Sequence, residues 1–277
     1  MSAAQPILKL IDGHEIPQLG FGVWQIPNED AAKTVGEAID AGYRSIDTAA
    51  IYGNETGVGE GIRKAGVSRE ELFITTKLWN DSHGFDAALK AFEASAKRLG
   101  LQTVDLYLIH WPAPRLDAFV ETWRAFIRLK EEGRTKSIGV SNFGASQLQR
   151  LAEETGVVPA VNQVELHPRF QQTALRAIHA AHGIATEAWS PLGQGRILED
   201  KTLRAIAAKH GKTPAQIVLR WHLDSGIIAI PKSATAARIR ENIDVFGFSL
   251  DADDLAGIAA LDTPNGRIGP DPEHFPG

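Results

Sequence analysis

The chain contains no cysteine, which removes disulfides, thiolate nucleophiles and cysteine-ligated metals from consideration. It also lacks a basic excess. With a formal net charge of −5 at pH 7, nucleic acid and anionic lipid are poor partners, although a local basic pocket for a phosphate is compatible with that balance. No stretch approaches the roughly 18 uninterrupted apolar residues of a membrane helix, and the opening MSAAQPILKLIDG lacks a basic region followed by an apolar run. A soluble, cytoplasmic protein working on a small molecule is the expectation, with no nucleic acid and no membrane as partner. Two signatures are missing as well. No His-x-His pair marks a metal-dependent hydrolase, and no G-x-G-x-x-G marks a Rossmann fold: in Gly57-Val-Gly59-Glu-Gly61, Ile62 takes the third glycine's place and no strand directly precedes.

What is present is a long alternation. The 277 residues, 43% hydrophobic and 23% charged, can bury a large core and lie near the roughly 250 residues of a one-domain α/β barrel. ILKLIDGHEIPQLG alternates apolar and polar residues around Asp12-Gly13 and predicts a small hairpin. Eight apolar runs follow, at 19–24, 43–49, 72–78, 104–111, 136–142, 160–166, 185–191 and 227–233. Helical patterns separate them. In DAFVETWRAFIRLKEEG, Phe119, Trp123, Phe126, Ile127 and Lys130 share a face, and Thr213-Pro214-Ala215-Gln216 predicts a capped helix start. Glycines 42, 66, 100, 133, 156, 183 and 226 each fall between a helical pattern and the next strand, where a left-handed residue closes a helix. Strand, helix and strand in steady alternation imply right-handed crossovers and a parallel sheet. The fold predicted is an α/β, (β/α)8 TIM barrel over residues 1–277 as one domain, with an N-terminal β-hairpin and a C-terminal loop; an open doubly wound sheet is the alternative.

In such barrels the site forms at the C-terminal ends of the strands. The polar residues closing the runs are Trp24, Asp47, Lys77, His110, Ser141 with Asn142, Gln163 with Glu165, Trp189 with Ser190, and Lys232 with Ser233. Any one of them marks only a strand's exit. Asp47, Lys77 and His110 close three successive strands, however, and Tyr52 follows in the next loop, so an acid, a base, an imidazole and a phenol converge. That set suits protonation of a carbonyl oxygen while hydride reaches the carbon. A phenol with a pKa of about 10 is a poor acid at neutral pH, but a cation within ~4 to 6 Å can lower it by ~1 to 3 units. Lys77 is the expected cation, Asp47 holds it, His110 orients the substrate oxygen, and Tyr52 is the general acid.

The strings GYRSIDTAAIYGNETGVG, LGLQTVDLYLIHWP and IPKS resemble the three signatures of the aldo-keto reductases, and the resemblance runs from LGFGVW to about ENIDVFGF. Among bacterial members the 2,5-diketo-D-gluconate reductases are the most similar group. The family's tetrad falls on Asp47, Tyr52, Lys77 and His110. The resemblance implies NADPH across the barrel mouth, its carboxamide at Ser141, Asn142 and Gln163. It further implies stacking on Trp189, where the family usually has tyrosine, and contacts from Ser190 and Leu192. It places the 2′-phosphate at Lys232, Ser233 and Arg238, and the adenine near Glu241 and Asn242. A helix N-terminus beside two cations suits a phosphate independently of the resemblance.

Trp24, Trp79 and Trp111 sit at or just past strand ends and are expected to line an apolar substrate pocket, whereas Trp123 and Trp221 read as packing residues. His179 and His182 read as a solvated pair, and no metal is expected. The tail TPNGRIGPDPEHFPG reads as an ordered loop or a flexible end, and its shortness suits an open site for small polar carbonyls. The function expected is NADPH-dependent reduction of aldehydes, α-dicarbonyls or keto sugar acids by a monomer. A cofactor-binding regulatory subunit on the same fold is the alternative.

Overall fold

The structure is a computed structural model that describes residues 5–275. The Asp12-Gly13 turn joins two antiparallel strands, β1 (Ile7–Lys9) and β2 (Glu15–Pro17), as the alternation predicts. The eight apolar runs each hold one strand of a parallel sheet: β3 (Phe21–Gly22), β4 (Ser45–Asp47), β5 (Phe73–Leu78), β6 (Val104–Ile109), β7 (Thr135–Ser141), β8 (Val161–Glu165), β9 (Ala185–Trp189) and β10 (Ile228–Ala229). They lie side by side in chain order. A parallel bridge from Leu19 to Ala229 brings the first edge to the last and closes the barrel; Gly20 donates to the Ala229 carbonyl at 2.9 Å, and Ala229 donates to that of Gln18 at 3.0 Å. The alternative of an open sheet is thereby removed.

The hairpin plugs the barrel floor. Its Leu10 and Ile16 are buried with Phe73, Leu106, Leu108, Val161 and Ile228 of the barrel and the residues leading into it. A larger apolar layer fills the space between sheet and helices. Helix α4 (Phe119–Glu131) buries Phe119, Trp123 and Phe126 there, while Ile127 is only half-buried. Its stripe ends at Lys130 because that ammonium reaches the hairpin, 2.6 Å from Asp12.

The capping box at Thr213 forms with both hydrogen bonds in place, opening α8 (Pro214–Asp224). Glycines 42, 100, 133, 156, 183 and 226 take positive φ, but Gly66 does not. Helix α2 (Glu55–Lys64) ends instead with Ala65 in extended conformation.

The near-miss nucleotide motif has a packing explanation. Gly57 and Gly61 lie where α2 meets α1 (Asn28–Ala41), and Gly59, on another side of the helix, lies against the end of α3 (Phe85–Leu99). A Cβ on Gly59 would lie 2.1 Å from the Leu99 carbonyl oxygen, and one on Gly57 2.2 Å from that of Asn28. Backbone touches backbone, leaving no side chain that could yield. Gly59→Ala should therefore lower stability by roughly 1–3 kcal/mol or more through overpacking. A urea midpoint equal to that of the parent chain would contradict the close approach.

Candidate active site

The strands deliver their polar ends to one place. Asp47 ends β4, Lys77 is the penultimate residue of β5, and His110 directly follows β6. Lys77 is fully buried, and its ammonium donates to Asp47 Oδ1 at 2.5 Å and to the Thr48 carbonyl at 3.0 Å. Burial opposes that charge, yet Asp47, with Tyr52 and Glu187 adding to it, outweighs burial and holds the lysine above its ordinary value. The half-buried Tyr52 ring has Lys77 Nζ 5.2 Å from its centroid and the His110 ring edge-on at 5.7 Å. The four predicted residues thus converge.

Their electrostatics differ from the expectation in one respect. Burial raises the Tyr52 phenol above its ordinary value of 10.0, and Lys77 only opposes this. The lowering expected from the cation is outweighed, and the phenol keeps its proton at neutral pH. His110 is pushed well below its ordinary value by burial and then by Lys77, so its ring is neutral; its Nδ1 is buried without a partner.

Next to the tetrad, Ser141 Oγ donates to the Gln163 carbonyl at 2.8 Å, and Asn142 Nδ2 donates to the carbonyl of His110 at 3.0 Å. Trp189 Nε1 donates to Asn142 Oδ1 at 2.8 Å. Gln163, Ser141, Asn142 and Trp189 therefore form one wall. Ser190 follows in a left-handed conformation, φ 49°, and Leu192 packs half-buried below it. Lys232 and Arg238 are both exposed, on either side of the start of α9 (Ala236–Ile243), and Ser233 Oγ accepts from the Thr235 amide at 3.2 Å. Asn242 is buried, and the Glu241 carboxylate is engaged by Thr213 Oγ1 at 2.7 Å.

Of the predicted pocket tryptophans, Trp79 lies edge-on to His110 at 5.2 Å, and Trp111 is buried. Trp24 stands 44% exposed at the rim and has no aromatic neighbour among the described residues. Phe275, which sequence reasoning did not select, packs on Trp111 at 4.3 Å and faces Trp79 at 6.3 Å. The tail is therefore tied down over the pocket, so the expectation of an open site is corrected.

The tie is Glu165, for which the sequence offered no role. It is buried at the end of β8; its Oε1 accepts from the Ile268 amide at 2.6 Å and its Oε2 from the Gly269 amide at 2.7 Å, and His167 Nε2 lies 3.1 Å from Oε1. Burial alone would raise this carboxyl, but His167 and the two amides outweigh it and keep it below its ordinary value. Gly269 presses on Trp189 so closely that a Cβ would come 2.4 Å from the indole. His179 is also corrected. It is buried in α6 (Thr173–His182), 2.9 Å from both Asn162 and Thr186, with burial pushing it down to about 4; only His182 is exposed.

Among the described residues no cluster of three metal-ligating side chains occurs, and no helix is long and apolar enough to cross a membrane. A closed (β/α)8 barrel with a buried lysine–carboxylate pair, a phenol and a neutral imidazole at its C-terminal mouth defines a class of barrel built for proton transfer at a polar bond. Residues 18–263 match the model of the aldo/keto reductase family. An aldo-keto reductase of Mycolicibacterium smegmatis is 56% identical over 270 residues, 98% of each chain. The methylglyoxal reductase DkgA of Escherichia coli K12 is 55% identical over 273 residues, also 98% of each. A crystal structure of a Gox0644 mutant in complex with NADPH superposes with a TM-score of 0.96 at 53% identity, covering 99% of both chains. The chain belongs to the aldo/keto reductase family.

Replacing Glu165 by glutamine turns an N–H toward a strap amide and leaves a buried donor unpaired. Glu165→Gln should cost about 1–3 kcal/mol and expose residues 268–275 to proteolysis. The carboxylate's hold should be present above its ordinary value near 4.5 and fade as pH falls below it. Unchanged stability and protection would show that the strap is held by other contacts.

Proposed function

We propose that this protein is an NADPH-dependent carbonyl reductase acting on aldehydes, α-dicarbonyls or keto sugar acids, with Tyr52 as general acid. The observation that carries the reading is the convergence of Tyr52, Lys77, Asp47 and His110 in a member of this family. A relative at 55% identity is a methylglyoxal reductase, and the apolar wall of Trp79, Trp111 and Phe275 over the tetrad favours small carbonyls of that kind. We take the chain as one domain over residues 1–277, acting as a monomer in the cytoplasm.

The residues present fit the cofactor. Gln163 spends both amide hydrogens on carboxyl oxygens, at 2.9 Å to Asp47 and 2.8 Å to Glu187, which leaves its Oε1 for the N–H of a carboxamide. Ser141 and Asn142 are held to the Gln163 backbone carbonyl beside it, and Trp189 offers an aromatic face. Lys232, Ser233 and Arg238 at the start of α9 suit the 2′-phosphate, with Ser190 and Leu192 along the path between, and Glu241 with Asn242 toward the adenine. When bound, NADPH supplies the hydride.

The protein's own contribution is the proton and its handling. Tyr52 holds a phenolic proton through neutral pH and delivers it to the carbonyl oxygen as negative charge develops there. Lys77, kept charged by Asp47, stabilises the phenolate left behind. His110, neutral and wedged between Tyr52 and Trp79, positions the oxygen by a hydrogen bond. Trp24, Trp79 and Trp111 exclude water and orient the remainder of the substrate.

Removing the phenolic oxygen by Tyr52→Phe should lower kcat by about 100- to 10,000-fold while NADPH affinity, read by fluorescence, stays near the parent value; near-normal turnover of methylglyoxal would sink the assignment. Arg238→Ala should weaken NADPH binding about tenfold and leave NADH binding unmoved. Equal loss for both cofactors would place the 2′-phosphate elsewhere.

A further inference from the structure

One buried acid beside the tetrad has no part in the reaction described above. Glu187 lies in the middle of β9, 1% exposed, in register with Gln163 on β8, as Ser141 on β7 is on Gln163's other side. Side chains alternate along a strand, so Glu187 shares the interior face of Trp189, two residues on, and sits one layer beneath it. Gln163 Nε2 is thus held between two carboxyl groups, Asp47 Oδ2 and Glu187 Oε2.

We propose that Glu187 is a positioning residue of the carbonyl-reducing site, fixing through Gln163 both the amide oxygen presented to the nicotinamide and the carboxylate that holds Lys77. The argument rests on the cofactor reading above. An amide with a single carboxyl partner can rotate and present its NH2 group to the cofactor; with a carboxyl acceptor on each side, both N–H groups are committed and the oxygen must face the mouth.

Charge extends the same point. Asp47 from β4 and Lys77 from β5 face this carboxyl, Tyr52 senses it from the loop after β4, and its register partner on β10 is the apolar Ile228. One ammonium cannot neutralise two carboxylates in so buried a place. Burial and then Asp47 push Glu187 up to about 8, so it carries a proton at neutral pH and becomes a second negative charge only in alkaline solution. An oxidised nicotinamide ring is cationic and a reduced one is not. Ionised Glu187 must therefore favour the oxidised cofactor, and by reciprocity the oxidised cofactor must favour ionised Glu187.

The experiment compares the parent, Glu187→Gln and Glu187→Leu, with affinities for NADP+ and NADPH measured by fluorescence titration from about pH 6 to about pH 9. In the parent, the preference for NADP+ over NADPH should rise by about tenfold across that range, as expected for one charge within several ångströms at an effective dielectric near 20. Glu187→Gln keeps an acceptor for Gln163 but cannot ionise, and its preference should be flat with pH. Glu187→Leu removes the acceptor and should weaken both cofactors about tenfold at neutral pH. A glutamine variant that follows the parent's pH dependence, or a leucine variant that binds as the parent does, overturns the proposal. The apo proteins supply a readout without cofactor. A raised folded-state pKa contributes stability that is full below the ordinary value near 4.5 and lost as pH rises through 8. Parent Tm should fall over that window more steeply than that of Glu187→Gln, and parallel curves count against the proposal. If the parent binds neither cofactor, the functional reading fails, and the Tm curves still report on Glu187 alone.

Discussion

A lysine with no exposed surface keeps its charge only if a carboxylate stands within hydrogen-bond distance, and here Asp47 stands 2.5 Å from Lys77. Breaking such a pair from one side costs about 3–5 kcal/mol, because it strands a charge in a medium that cannot solvate it. The barrel exists around that constraint. Asp47 and Lys77 lie on adjacent parallel strands near their C-terminal ends, and the strands' fixed spacing sets the distance. Burial is the leading cause of the neutral state of His110, the protonated state of Tyr52 and the proton on Glu187; Lys77 reinforces it at His110 and opposes it at Tyr52 and Glu187, where Asp47 adds to it.

At the other end of the barrel the hairpin's Leu10 and Ile16 join an apolar cluster with residues of the strands, so the polar group stands at the mouth alone. The cost is taken up at the rim. Gln25, Ala113, Asn142 and Ser190, each just beyond a strand end, hold positive φ, a conformation that strains a non-glycine residue by about 1–3 kcal/mol. These are the turns by which the chain leaves the sheet while still aiming side chains at the mouth.

Much of this was legible in the sequence because the controlling patterns are local. A strand announces itself by its apolar run and the residue closing it faces the mouth; that rule puts Asp47, Lys77 and His110 among the candidates, and their place on three successive strands singles them out. What escaped depends on partners far along the chain. Glu165 meets amides more than a hundred residues later, and nothing near it signals a strap. Phe275 looks like any aromatic in a proline-rich tail. Glu187 faces the interior but does not end its strand, so a search confined to strand ends passes over it, although the alternation that places Trp189 inward places Glu187 inward too. His179 was misread because i, i+3 spacing with His182 does not say which residue faces the sheet. The direction of the Tyr52 shift needed the degree of burial, a tertiary quantity.

The two ends of the proposed cofactor path sit in different electrostatic regimes. Lys232 and Arg238 are exposed, and at physiological ionic strength a charge beyond about 8 Å from another is largely screened. Their attraction for a phosphate is therefore adjustable by salt and by substitution at little cost to the fold. Asp47, Lys77 and Glu187 are buried and feel far less of that screening, so their mutual interactions respond little to salt. Salt should therefore separate the two ends, acting on the proposed phosphate contacts at the surface and sparing the buried pair.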